Sequence, residues 1–249
     1  MPTDADTLML HSVRYAFPGG RTIVDAVDLD LAPGDVHCLL GRSGCGKTTL
    51  LRIAAGLVQP HAGHVSLGGE RLHGPSPRIG FVFQQPALLE WLPVIDNVLL
   101  STSLQRRLRQ DDRDAAMVLL DRIGIVETAH RFPRQLSGGQ QSRVALARAL
   151  LPEPAVLLMD EPFAALDALS REALQDALRQ LLDSRPLAVL FVTHDVHEAV
   201  HLGTRLSLMD AGSLRDTTPI AVDRDRDSVA HADACRWLRE QIRALEQPA

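Results

Sequence analysis

Short apolar runs alternate with amphipathic ones along this chain, and that alternation predicts its elements. Leu8–Phe17 and Ile23–Leu31 read as strands, with Pro18-Gly19-Gly20 as the turn signal between them. Val36–Leu40 is an apolar run that stops at a glycine-rich loop, after which Thr48–Ala55 reads as a helix. Val65–Leu67 and Ile79–Val82 read as further strands. From about Pro86 to Pro154 the pattern is helical, rich in Leu, Arg, Gln and Asp. Ala155–Met159 is again a buried-strand run, followed by a helix over Ser170–Asp183, a strand over Leu187–Val192, a helix over Val196–Leu202 and a strand over Arg205–Met209. Strands alternating with helices predict a mostly parallel sheet covered on both faces. The helical middle then reads as an insertion into an α/β core. The charged stretch Arg215–Ala249 predicts an amphipathic helix around Ser228–Glu246. No internal repeat is visible.

Composition narrows the class. With 249 residues, 45% hydrophobic and 23% charged, the chain has enough material for a sizeable core and reads as globular. It contains no apolar run of membrane-spanning length, and the acidic start Met1–Asp6 does not read as a signal peptide. A net charge of −5 argues against a nucleic-acid surface. Cys38, Cys45 and Cys235 are too few and too scattered for a disulfide frame, which suits a reducing cytosol. Of the 26 basic residues, one is lysine, Lys47. A base-composition bias explains the excess of arginine. The surviving lysine marks a place where a compact ammonium is needed and a broad guanidinium will not serve.

That lysine lies in Gly41-Arg42-Ser43-Gly44-Cys45-Gly46-Lys47-Thr48, a phosphate-binding loop pattern that follows a strand and opens a helix. Glycines let backbone N–H groups curl around phosphate oxygens, and the helix N-terminus adds partial positive charge. Lys47 would reach the β- and γ-phosphates, and the Thr48 hydroxyl would ligate Mg²⁺. A plain glycine-rich turn is the weaker reading, because the only lysine falls at the required place. Asp160 and Glu161 stand where a buried strand ends, a costly position for two carboxylates unless they are used. Asp160 can hold Mg²⁺ and Glu161 can polarise an attacking water. Ser137 and Gln140 fit a capping box at a second glycine-rich helix start, with Val144, Ala147, Leu150 and Leu151 on one apolar stripe behind it. A well-capped helix would account for that segment alone. Beside a phosphate cradle, a second anion-ready helix N-terminus asks for a partner, and a second copy of the chain would supply one.

These segments, in this order, resemble the nucleotide-binding subunit of ATP-binding cassette (ABC) transporters over residues 8–215. Leu136–Gln140 matches that family's signature motif, Gly41–Thr48 its Walker A and Val156–Asp160 its Walker B. Gln84 matches the Q-loop glutamine, Ala165-Leu166-Asp167 the D-loop and His194 the switch histidine. Phe17 aligns with the aromatic that stacks on adenine, with Tyr15 as the other candidate. The resemblance implies a P-loop NTPase (RecA-like) α/β core in residues 1–215, with an antiparallel β subdomain and an inserted α-helical signature subdomain at about 86–154. Residues 216–249 form a tail. ATP would contact Phe17, Gly41, Ser43, Gly44, Cys45, Gly46, Lys47, Thr48, Thr49, Gln140 and Asp167, and from a second copy Ser137, Gly138 and Gly139. Thr48, Gln84 and Asp160 would place Mg²⁺, while Glu161, His194 and Gln84 serve hydrolysis. Implied partners are a second nucleotide-binding subunit, most simply an identical chain, integral membrane permease subunits and, indirectly, a solute-binding protein, with no nucleic acid. The implied location is the cytoplasmic face of the cell membrane.

Phe83–Val98 is similar to importers of nitrate, sulfonates and taurine, although that subgroup commonly has Pro where Glu90 stands. Asp223–Asp227 resembles a degenerate form of the same subgroup's tail. The implied cargo is a small anionic or zwitterionic solute. An exporter cassette is the nearest rival, and Phe83–Val98 argues for import. A non-transport cassette protein usually carries two cassettes, a long coiled coil or basic linkers. A P-loop kinase would lack Leu136–Gln140 and His194, and a pure binding module would have no need of Glu161 with His194. His194, His197 and His201 cluster in sequence, and His197 and His201 lie one helical turn apart, a spacing that can hold a metal. Without a further ligand nearby in sequence, His197 and His201 read as surface residues. Trp91 reads either as core or as contact with a membrane partner, and Arg106-Arg107-Leu108-Arg109 as a solvated helix face.

Overall fold

A computed structural model describes residues 6–220, 226 and 228–246. Along the chain run β1 (Leu8–Ala16), β2 (Thr22–Leu31), β3 (Val36–Gly41), α1 (Lys47–Ala54), β4 (Ala62–Leu67), β5 (Glu70–Arg71) and β6 (Ile79–Val82). Next come α2 (Val94–Gln105), α3 (Gln110–Arg122), α4 (Gly138–Leu150), β7 (Val156–Asp160) and α5 (Ala168–Ser184). The last elements are β8 (Ala188–Val192), α6 (Val196–Leu202), β9 (Arg205–Asp210), β10 (Ser213–Pro219) and α7 (Val229–Glu246). They divide into two compact units, one of residues up to 76 together with those from 188 onward, the other of residues 77–187.

The first unit holds an antiparallel sheet in the order β2-β1-β4-β5. Leu8, Leu10 and Val13 of β1 all point into its core, a spacing that breaks strict alternation. A bulge at Ser12 reconciles them. Its φ is +44°, and its backbone N–H donates to Asp28 Oδ1 at 2.8 Å. The extra residue shifts the register between Leu10 and Val13, so the next apolar side chain faces inward again. In the same unit β9, β3 and β8 run parallel, and β10 returns antiparallel on β9. All five residues of β8 are buried, as a strand covered on both faces requires. Leu50, Leu51, Ile53 and Ala54 of α1 are buried too.

The second unit pairs β6 with β7 in parallel. Its core is helical: Val94, Val98 and Leu99 of α2 meet Ala116 and Leu120 of α3 and Val144 and Ala147 of α4.

Several expectations are corrected. The first strand stops at Ala16, leaving Phe17 in a turn where Gly20 N–H donates to the Phe17 carbonyl at 3.1 Å. His201 is buried, because α6 turns that face inward, and Trp91 stands 72% exposed, outside any core. β10 falls where only charged tail was expected. Its Ser-Leu-Arg-Asp-Thr-Thr-Pro sequence lacks apolar alternation because it is an edge strand. It is set by the two-residue turn Ala211-Gly212, with φ of +45° and +89°, the left-handed pair that suits a tight hairpin. Apart from Arg226, the Asp223–Asp227 segment lies outside the described residues, as does Met1–Asp6 apart from Asp6.

One polar rung crosses this core. His37 of β3 is buried, its Nε2 2.9 Å from Ser207 Oγ on β9, which in turn lies 2.8 Å from Thr217 Oγ1 on β10. Burial and the nearby Arg205 charge push the imidazole down to about 4, so it stays neutral in the fold. The unfolded chain takes up this proton first, near pH 6.5, so stability falls as pH drops from there toward the folded value. The loss attributable to His37 reaches about 3 kcal/mol by pH 4. Urea unfolding of wild type between pH 7 and 5 should show this slope, and His37→Gln should flatten it.

Candidate functional site

In the first unit the loop after β3 is shaped by what it cannot accommodate. A Cβ at Gly41 would overlap the Met209 carbonyl oxygen, and one at Gly46 would overlap that of Ile23. Gly46 also has φ +114°, a conformation that L side chains rarely adopt. It is the N-cap of α1 and brings no side chain to the helix's first N–H groups, and no acid occupies the first turn. The positive end of the helix therefore faces the loop uncompensated by any carboxylate of that turn. Lys47 Nζ folds back into the loop, donating to the carbonyls of Gly41 at 2.7 Å and Arg42 at 2.9 Å. Lys47 is buried, whereas Arg42, Ser43 and Gly44 are exposed at the tip, Cys45 and Thr48 are half-buried, and Thr49 lies one residue further along α1.

The same unit carries Phe17 and His194. Tyr15 is stacked on His61 with ring centroids 5.1 Å apart and meets Phe17 edge-on at 5.4 Å. His61 Nδ1 also accepts from the Ala16 N–H at 3.3 Å. One face of Tyr15 is thus taken by an imidazole, while Phe17 is 51% exposed. His194 sits exposed between β8 and α6, in a turn held from both sides. Thr193 Oγ1 donates to the buried Glu198 carboxylate at 2.5 Å and accepts from Asp195 N–H at 3.0 Å. Asp195 Oδ1 caps α6 by accepting from His197 N–H at 2.8 Å.

In the second unit the register of two strands brings a pair together. Val82 of β6 lies opposite Met159 of β7, and each chain then runs two residues further, to Gln84 and Glu161. Parallel strands keep that alignment, and Gln84 Nε2 donates to Glu161 Oε2 at 3.4 Å. Asp160 is buried at the strand end. Glu161 leaves the strand with φ +45°, a strained left-handed turn that costs about 1–2 kcal/mol in a non-glycine residue. At the start of α4, Ser137 Oγ accepts from Gln140 N–H at 3.2 Å, and Gln140 Oε1 accepts from Ser137 N–H at 3.0 Å. The capping box is present as drawn from sequence. A Cβ at Gly139 would meet Ser170 at ordinary van der Waals distance. Asp167 caps α5 by accepting from Ser170 N–H at 3.0 Å, which holds its carboxyl below the ordinary value.

Two residues that sequence reasoning missed hold the segment after Gln84. Asn97, fully buried on α2, accepts from Leu89 N–H at 2.8 Å and donates from Nδ2 to the carbonyls of Leu89 at 3.0 Å and Leu92 at 2.9 Å. Arg148 of α4 reaches the same segment with a two-pronged grip, Nη1 on the Ala87 carbonyl at 2.8 Å and Nη2 on that of Pro86 at 2.7 Å. An Asn set among Val94, Ile95, Val98 and Leu99 was the available signal for the first. Arg148 carried none, since arginine is common throughout. Asn97→Ala leaves half-buried backbone groups at Leu89 without their partner and should destabilise by about 1–3 kcal/mol in urea unfolding. Asn97→Asp, which keeps only the acceptor, should recover part of that loss.

Residues 24–164 match the family described as ABC transporter. The chain is 44% identical over 242 residues to "Aliphatic sulfonates import ATP-binding protein SsuB 1" of Xanthomonas axonopodis pv. citri, covering 95% of both chains. It is 42% identical over 244 residues to the protein of the same name from Burkholderia lata, covering 98% of this chain and 74% of that one. Among solved structures, the ATP-binding cassette MJ0796, a dimer in a post-hydrolysis state bound to ADP and Pi, superposes with a TM-score of 0.76 at 30% identity. The match covers 86% of this chain and 98% of that one. A second dimeric structure of the same bacterial cassette gives 0.77. With a family match over more than half its length, and these relatives along nearly all of it, this chain belongs to the ABC transporter family as an ATP-binding cassette.

Proposed function

We propose that this chain is the ATP-hydrolysing subunit of an importer for a small sulfonate-type solute, acting as two copies beneath membrane-embedded permease subunits. The observation that carries the catalytic part is the Gln84–Glu161 pair at the ends of two register-matched strands. Glu161 is aimed by a strained backbone and steadied by an amide, which suits a carboxylate that must orient water for attack on a γ-phosphate. The names of the relatives support sulfonate import, and the dimeric cassettes support a two-copy arrangement. Among the described residues no helix is long and apolar enough to cross a membrane. A peripheral position on the cytoplasmic side of the membrane accords with that reading.

Each group has a distinct task. Phosphate oxygens are stronger acceptors than peptide carbonyls, so they would draw Lys47 Nζ from Gly41 and Arg42. The loop amides and the α1 N-terminus then share the phosphate charge. Phe17, the more exposed ring, stacks on the base. His194 orients the γ-phosphate from its clamped turn. The Ser137 oxygen accepts a capping bond and still has its own hydroxyl proton to donate. With Gly138 and Gly139 at the α4 N-terminus it would close over ATP held by the other copy. The family resemblance assigns Mg²⁺ to the Thr48 hydroxyl, the Asp160 carboxylate and the Gln84 amide oxygen, each a hard oxygen group of the kind that ion takes. Bound there, Mg²⁺ would neutralise charge on the β- and γ-phosphates.

Three outcomes test this. Glu161→Gln should lower ATP turnover about a hundredfold or more while keeping nucleotide binding. That variant should elute as a dimer with Mg-ATP on a sizing column, and a monomer there counts against the two-copy site. Lys47→Arg should lose turnover despite the chain's tolerance of arginine elsewhere, and unchanged hydrolysis would refute the need for an ammonium. A chromosomal Lys47→Ala should abolish growth on an aliphatic sulfonate as sole sulfur source and spare growth on sulfate. Growth on both, with taurine and nitrate also spared, would refute the assigned cargo and leave the ATPase standing.

A further inference from the structure

Away from the groups used above, α6 and α7 bring together three side chains of the kinds that hold transition metals. His231 and Cys235 are four residues apart on α7 and therefore share one face of the helix, and both are buried. His197 of α6 meets them from an exposed position. Cys235 Sγ lies 3.4 Å from His197 Nδ1, and the imidazoles of His197 and His231 stack with centroids 5.9 Å apart and planes 20° from parallel. The three available ligand atoms lie within 4.8 Å of one another.

We propose that His197, His231 and Cys235 form a binding site for a divalent transition metal of the Zn²⁺ type. One thiolate and two imidazoles are the donor set such ions prefer, with a fourth position left for water. Tetrahedral Zn²⁺ with bonds of about 2.0–2.3 Å holds its ligand atoms roughly 3.3–3.8 Å apart. The Cys235–His197 separation already lies in that range, and the widest separation in the cluster needs to close by about 1 Å. Hard ions such as Mg²⁺ have no carboxylate or carbonyl to recruit within the triad.

The proton balance follows from the neighbours. Arg239 Nη2 lies 2.6 Å from His197 Nε2 and can only donate, so in the metal-free form Nε2 accepts and the ring proton is on Nδ1, shared with Cys235 Sγ. A metal taking Nδ1 moves that proton to Nε2, where it meets the Arg239 donor and turns the guanidinium out toward solvent. The Cys235 thiol, which burial makes a weaker acid than usual, gives its proton to water as the sulfur binds. Binding thus releases one proton and exchanges an arginine contact for two or three metal bonds. It fastens α7 to the helix that begins immediately after the His194 turn.

The test is a Co²⁺ titration of the purified full chain, followed by displacement with Zn²⁺. Wild type should develop the visible bands of four-coordinate Co²⁺ and a near-ultraviolet thiolate charge-transfer band, saturating at an equimolar ratio and bleached by Zn²⁺. Cys235→Ser should abolish the charge-transfer band. His197→Gln, at an exposed position, should leave the fold intact by circular dichroism and weaken Zn²⁺ at least about tenfold against a chelating dye. It decides the matter if the buried Cys235 variant fails to fold. Arg239→Glu, which offers Nε2–H an acceptor, should tighten Zn²⁺ by a similar factor. No charge-transfer band in wild type, a band that survives Cys235→Ser, or a Zn²⁺ affinity unmoved by His197→Gln each overturns the site.

Discussion

The loop between β3 and α1 exists only because two of its residues lack side chains. Carbonyls from β9, at Met209, and from β2, at Ile23, press on the places where Gly41 and Gly46 would carry a Cβ. One presses from the parallel sheet and the other from the antiparallel sheet, so both sheets of the first unit are fitted around the loop. β3 can be fully buried up to Leu40 because the chain turns out at Gly41 without needing space. α1 can begin at Lys47 because Gly46 takes a left-handed turn at little cost. The proposed phosphate cradle is thus shaped where close packing leaves Gly41 and Gly46 no room for side chains.

The same geometry explains the chain's one lysine. Nζ of Lys47 sits between two carbonyls of a six-residue loop, almost out of water. A point-like ammonium meets both carbonyls from a single atom, whereas a planar fork meets two acceptors with two nitrogens. Arginine is used where the fork has two acceptors to meet. Arg106 grips both oxygens of Asp112 at 2.8 and 2.6 Å, and Arg205 reaches Asp30 and Asp35 together. Arg148 binds two successive carbonyls. The contrast is one of shape, since charge is the same in every case.

The sequence made the parallel core legible because buried strands such as Ala188–Val192 are continuous apolar runs, and the loop legible because glycine and lysine spacing encodes it directly. Capping chemistry at Ser137 and Gln140 was equally local, and the structure has both bonds. What sequence left obscure depends on distant partners. β10 has no pattern of its own because its edge position demands none, and only the Ala211-Gly212 turn betrays it. The bulge at Ser12 needs Asp28, sixteen residues away, to pin it. His197 is at the surface as its sequence suggested, but its neighbour His231 comes from α7, thirty-four residues on, which no local pattern announces. Fold-level periodicity is short-range information, whereas side-chain clusters are built by the topology.

The second unit shows how a helix can serve two places at once. α4 begins at the Ser137 cap and carries Arg148 near its other end, about 16 Å away at 1.5 Å per residue. Its flank is packed by Val144 and Ala147 against α2 and α3, so it moves with that core as one piece. Arg148 fixes the carbonyls of Pro86 and Ala87, and Asn97 fixes those of Leu89 and Leu92, on the segment that runs from Gln84 to the exposed Trp91. A ligand that pulled on the α4 N-terminus would therefore displace that segment through a rigid helix and the two carbonyls that Arg148 holds, with no loop in between to absorb the movement. The strained turn at Glu161 answers from the other side through Gln84. Within this unit, the groups proposed to face a phosphate and the exposed Trp91 are thus joined by hydrogen-bonded backbone and a packed helix.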